Sequence, residues 1–131
     1  MNPIQKSAFE AEITQAKALV GQGDLVSGFA HLERAHVIGQ AHVVPHVISH
    51  WLMLNVEIAR RRPVAALGQI VRIVLGGLGS AVGKVPTGNT GGSDISMFKR
   101  LPIAPELQGV IDGRAPGNPL TADVPGADAR P

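Results

Sequence analysis

The sequence predicts an all-α protein, a small four-helix bundle with a tetratricopeptide-like hairpin and a Gly-rich C-terminal extension. Two observations lead there. Apolar residues recur at the three- and four-residue spacing of a helix, and Gly, Asp and Pro interrupt that pattern at places where helices end. A length of 131 residues with 44% hydrophobic content suits a single domain with a real core.

The first helix is expected from about Ser7 to Val20, with Phe9, Ile13, Ala16 and Val20 on one face. "GQGD" breaks it and offers Asp24 as an N-cap. A second helix then runs from Leu25 to Ile38, its apolar stripe Leu25, Phe29, Leu32 and Ala35, and Gly39 reads as its C-cap. A third is expected from Ala41 or His42 to about Arg60, with Pro45 in its first turn. It is apolar over most of its circumference, which predicts burial on several sides. "RRRP" leads into a fourth helix, about Val64 to Leu78. "GGLGS" and "VPTGNTGGSDIS" follow as a long loop without regular structure, either a connector or a cover for the bundle. "LPIAPELQGVI" supports a short closing helix after Pro105, which completes a domain of residues 1–113. The tail 114–131, rich in Pro, Gly and Ala, is expected to be disordered.

"ALVGQGDLVSGFAHLERA" resembles one tetratricopeptide hairpin. A solenoid needs about three copies, and no second copy is present, so a bundle is the better reading.

Composition excludes several functions. Twelve Lys and Arg against ten Asp and Glu leave a charge of only +2, and three Phe, one Trp and no Tyr offer few stacking platforms. Nucleic acid is therefore not an expected partner. With no cysteine, disulfides, thiolate metal sites and cysteine nucleophiles are excluded. "MNPIQKSAFEAEITQ" lacks the apolar run of a secretory signal, which makes the cytoplasm the default expectation. Residues Val64 to Val82 are largely apolar but interrupted by Gln69 and Arg72. An arginine in mid-membrane is costly, so a buried amphipathic helix is expected rather than a membrane anchor.

All five histidines (His31, His36, His42, His46 and His50) fall between His31 and Trp51 in "HLERAHVIGQAHVVPHVISHW". On the second helix His36 falls in the middle of the apolar stripe, Glu33 at its edge, and His31 toward solvent. Glu-x-x-His is the spacing by which carboxylate-bridged metal bundles draw ligands from one helix. On the third helix His42, His46 and His50 recur at i, i+4 and i+8 within about 80° of arc, with Met53 and Glu57 in the same sector. Val43, Val47, Trp51, Leu54 and Ile58 take the opposite side. Two histidines at i and i+4 can chelate one ion from a single helix. The turn at Gly39 and Gln40 makes the two helices neighbours, and Glu12 borders the apolar face of the first.

Burying a carboxylate and imidazoles together is costly unless something satisfies them, and a cation does so. Glu33, His36, His46 and His50 are the expected ligands, with His42, Glu12 and Glu57 as possible additions. Such donors suit a divalent transition metal, Fe, Zn, Cu, Ni or Mn. An open position would permit activation of water or oxygen, with a small-molecule substrate as a compatible partner. No nucleophile or phosphate loop fixes a reaction, so whether the protein is an enzyme stays open. The alternatives are a non-catalytic helical interaction module and a membrane-surface protein. A homodimer is compatible with any of these.

Read in order, "HLERAHVIGQ", "HVISHWLML", "IVRIVLGG" and "VPTGNTGGSDISMFKRLPI" resemble a small bacterial family catalogued as a domain of unknown function, over about residues 7 to 110. The resemblance implies a small, soluble, all-helical bacterial protein. It carries no established activity.

Overall fold

Five helices in sequence order make up the regular structure of the described residues, 1–115, of the computed structural model. They are α1 (Pro3–Gly21), α2 (Leu25–Gly39), α3 (Val43–Ala59), α4 (Pro63–Ala81) and α5 (Pro105–Ile111). The architecture is the expected all-helical bundle. Most of the tail expected to be disordered lies outside the described residues.

Helix α1 starts four residues before the apolar stripe suggests, because Asn2 and Pro3 form an N-cap and first-turn pair. The Asn2 side chain accepts from the Gln5 amide at 2.7 Å. Asp24 caps α2 by accepting from the Ser27 amide at 3.0 Å, as expected. Gly39 is the last residue of α2, and it serves packing rather than a left-handed cap. A Cβ there would stand 2.6 Å from the Pro45 Cβ and 3.1 Å from the Phe9 ring, so the glycine lets α3 turn back closely along α2.

α1 and α2 pair as a hairpin, and α5 packs on both. Phe9, Ile13, Ala16, Phe29, Leu32, Ala35 and Ile38 meet Leu107 and Val110 of α5, with Met53 and Val56 of α3 closing the core. The short α5 thus occupies a face of the hairpin that an interaction module would leave open. Gln5 Nε2 donates to the Ile38 carbonyl at 2.7 Å, which ties the start of α1 to the end of α2. Arg60 donates to the Leu25 carbonyl at 2.7 Å and lies 4.6 Å from the Phe29 ring centre, which ties the end of α3 to the start of α2.

Helix α4 differs from its expectation in two ways. It continues through Gly76, Gly77 and Gly79 to Ala81, because those residues sit where neighbouring chain approaches closely; a Cβ on Gly79 would stand 2.8 Å from the Lys84 carbonyl oxygen. It is also not buried on its apolar side. Among helices it packs against α3 alone, and only 22% of its apolar window is covered. Val64, Leu67, Val74 and Leu78 face outward, as do Val44, Trp51 and Ile58 of α3. The expectations that α3 is buried on several sides and that α4 is a buried amphipathic helix are both corrected. The polar residues of α4, Gln69, Arg72 and Ser80, are the ones turned inward. By length and composition α4 could also cross a membrane. An apolar surface of this extent is of the kind that association sites present.

Leu32 is 1% exposed at the centre of the α1–α2–α5 core. Replacing it with alanine should lower the free energy of unfolding by about 2–5 kcal/mol, through lost transfer energy and the cavity left behind. Urea denaturation followed by far-UV circular dichroism measures this; a loss below about 1 kcal/mol would show that the core lies elsewhere.

Candidate metal centre

Three histidines meet beneath the Gly-rich loop. His36 comes from the last turn of α2, and His46 and His50 come from one face of α3, a single helical turn apart. All three are buried, at 3%, 4% and 2% exposure. Each offers a nitrogen within 4.8 Å of the other two, and the ring centres lie 4.6–4.9 Å apart.

The hydrogen bonds around the rings fix their tautomers. His36 Nδ1 is 2.9 Å from the Asn89 carbonyl oxygen, which can only accept, so Nδ1 carries the proton. His50 Nδ1 is 2.7 Å from Gln69 Oε1. That amide cannot be turned round, because its Nε2 donates to the Gly91 carbonyl at 3.1 Å and to Ser93 Oγ at 3.2 Å. His46 Nδ1 lies 3.1 Å from the Gln40 carbonyl and also meets Ser80 Oγ, whose own proton goes to that carbonyl at 2.7 Å. A proton on Nδ1 is the assignment that satisfies this ring as well.

Every Nδ1–H is therefore spent on an oxygen of the scaffold, and each Nε2 is left with a lone pair. His46 Nε2 and His50 Nε2 face one another at 3.0 Å with no proton between them in the neutral tautomers. His36 Nε2 is buried with no hydrogen-bond partner among the described residues. Taking a proton does not relieve the crowding. Burial pushes all three rings below the ordinary histidine range. His50 falls to about 3, against the opposing effect of the hydrogen bond it donates to Gln69. His36 falls well below normal, with the neighbouring imidazoles His50 and His46 adding to the effect of burial. His46 is lowered by burial, opposed by its hydrogen bond to the Gln40 carbonyl.

The loop that follows α4 closes this site. Asn89, 3% exposed, organises it: its Nδ2 donates to the Ser96 and Lys99 carbonyls at 2.9 and 2.7 Å, while its Oδ1 accepts from the Gly91 amide at 2.9 Å. Gly91 has φ 74°, and a Cβ there would stand 2.9 Å from both the His36 and His50 rings, so glycine is required on both counts. The loop is a cover, and the alternative of a plain connector is set aside.

A cavity of about 640 Å³ opens beside the three rings, between α4 and the loop. Its lining includes Arg72, Lys84, Arg100 and Phe98 and, among the described residues, contains no carboxylate.

The other candidate ligands lie elsewhere. His42 is the N-cap of α3, with extended backbone at φ −119° and ψ 123°, so its ring leaves the helical register that would align it with His46. Its Nδ1 instead lies 3.5 Å from the terminal amine. Glu33 accepts from Thr90 Oγ1 of the loop at 3.0 Å, and burial raises its pKa. Glu57 is fully buried in the expected sector, but seven residues beyond His50 amount to about 10 Å along the axis. It receives Ser93 Oγ at 2.7 Å and faces Arg60 and Arg62 at 3.6 Å. Glu12 sits on the other side of the hairpin, bridged by His31 at 2.6 Å and Arg34 at 2.8 Å. His31 is thus half-buried against Glu12 rather than free in water.

Sequence reasoning overlooked Gln40, Gln69, Ser80 and Asn89, the residues that hold the rings. Gln69 and Arg72 had a signal: both interrupt an apolar helix on its inward side. No curated protein and no solved structure matches the chain. A family model described as a protein of unknown function, DUF3703, matches residues 4–111. That span covers most of the chain, which therefore belongs to the DUF3703 family.

Proposed function

We propose that this is a metal-binding protein in which His36, His46 and His50 hold one divalent transition ion through their Nε2 atoms. The observation that carries the reading is the opposition of unprotonated nitrogens: two at 3.0 Å and a third buried with no partner. In water such lone pairs would each have a donor; here a cation relieves all three at once. The oxygens on the Nδ1 atoms are the partners that metal-bound histidines commonly have, fixing ring orientation and raising ligand basicity. Nitrogens held about 2.0–2.1 Å from a tetrahedral ion stand roughly 3.3 Å apart, within reach of the present spacing after small ring movements.

Three neutral nitrogen ligands would leave a further position open on a bound ion, and the cavity adjoins the three rings. This is the arrangement of catalytic rather than structural sites. A bound ion there would act as a Lewis acid toward water or oxygen. The protein supplies the ring orientation, the dry cover of the loop and the adjoining space for a small molecule. Zn, Fe, Ni, Cu and Mn all accept imidazole ligands.

Protein expressed with supplemented metal should carry close to one ion per chain by elemental analysis. His36→Ala and His50→Ala should each reduce that content at least tenfold, while Glu12→Gln and Glu57→Gln should leave it unchanged. Substoichiometric metal in the parent under every supplement would refute the reading.

A Cβ on Gly76 would stand 2.7 Å from His46 Nε2. Gly76→Ala should keep or raise helicity, since alanine is favoured in a helix interior by about 1 kcal/mol. It should nevertheless weaken metal affinity at least tenfold in competition titrations. Unchanged affinity would mean that no ion sits on His46.

The metal-free protein should lose stability as pH falls. The folded pKa of His50 is depressed to about 3 and the unfolded value is about 6.5, so below pH 6.5 the unfolded chain binds more protons. His50 alone should cost about 2 kcal/mol at pH 5 relative to pH 8. Urea midpoints across that range provide the check, and a midpoint independent of pH would contradict the buried neutral rings.

A further inference from the structure

The ligand set and the cavity beside it have a charge imbalance. Histidine ligands are neutral, so a divalent ion at the triad would keep its full charge. The cavity adds Arg72, Lys84 and Arg100, and among the described residues it offers no carboxylate in return. The one fully buried acid among the described residues, Glu57, is already engaged by Ser93, Arg60 and Arg62. Arg72 is 9% exposed, and its Nη2 donates to the Ile95 carbonyl of the loop. Its Nε is buried with no hydrogen-bond partner among the described residues. An arginine on a largely apolar helix, turned inward to line the same cavity as the three histidines and left with an unpaired donor, is costly unless an acceptor completes it. Guanidinium groups are suited to the paired oxygens of carboxylate and phosphate.

We propose that the cavity takes a small oxyanion, a carboxylate- or phosphate-bearing molecule, with one oxygen on the metal's open position and another on Arg72. Lys84 and Arg100, both exposed, line the cavity and draw the anion in. Phe98, 76% exposed, supplies an apolar wall, so the rest of the molecule need not be charged. A volume of about 640 Å³ lies in the usual range for small-molecule sites and exceeds what a bare anion fills. The proposal rests on the metal reading above and extends it to the class of molecule bound.

Cobalt(II) makes the two claims separable, because its visible spectrum reports the ligands of the ion. The full chain is loaded with cobalt and titrated with acetate and with inorganic phosphate; acetamide serves as an uncharged match for acetate. Saturable spectral change is expected with at least one of the anions and none with acetamide. Arg72→Gln should load cobalt to the same stoichiometry and bind the anion at least tenfold more weakly. Arg100→Gln should show a smaller loss that fades as salt rises. Failure of the parent chain to bind cobalt would remove the metal reading and this proposal with it. Stoichiometric loading with no anion response, or with equal anion affinity in Arg72→Gln, would overturn the oxyanion site alone.

Discussion

The arrangement of the central site depends on three hydrogen bonds, each from an imidazole Nδ1–H to an oxygen of the scaffold. Asn89 holds His36, Gln40 holds His46, and Gln69 holds His50. Because the acceptors are two backbone carbonyls and one locked amide, the rings have little freedom to swap tautomers. The remaining nitrogens of His46 and His50 then face one another, and that of His36 is buried beside them. The fold in effect selects a cluster of lone pairs on buried rings, and places it beneath a loop and beside a cavity.

That loop is the second consequence. A chain segment this rich in glycine has a large conformational entropy to lose, so its order must come from specific bonds. Asn89 supplies several within the loop, and Thr90, Gly91 and Ser93 tie it to Glu33, Gln69 and Glu57. The carboxylates that the sequence offered as metal ligands therefore have another use: two of them anchor the cover to the helices beneath. Glu12, on the far side of the hairpin, instead joins α1 to α2.

How much could be read in advance follows from which interactions are local. Helical period and capping placed α1 and α2 well, since Phe9, Ile13, Phe29 and Leu32 mark a core face that depends only on spacing. His36, His46 and His50 were legible for the same reason. His42 was misplaced because one residue decides whether a side chain lies in the helix or on its N-cap. Glu57 shared an angular sector with His50, and a wheel ignores the rise that separates them. The scaffold oxygens could not be found at all by periodicity, as Gln40 and Asn89 lie in connections with no repeat. Gln69 and Arg72 were visible only as breaks in an apolar run. The direction of such breaks, rather than their cost, was the informative part.

The two halves of the molecule divide stability and chemistry between them. The main core cluster joins α1, α2 and α5 to the inner side of α3, and α4 contributes no residue to it. Helix α4 is held by α3 and by polar bonds from Gln69, Arg72 and Ser80, while its apolar side faces outward. Elements attached this way belong to the part of a protein that opens most readily. An ion bridging α2 and α3 would fix the rings against which Gln69 and Ser80 rest, and so would tighten α4 and the loop without touching either. Binding free energy of that kind is delivered to the least stable part of the fold. The well-packed hairpin can then stay indifferent to whether the site is filled.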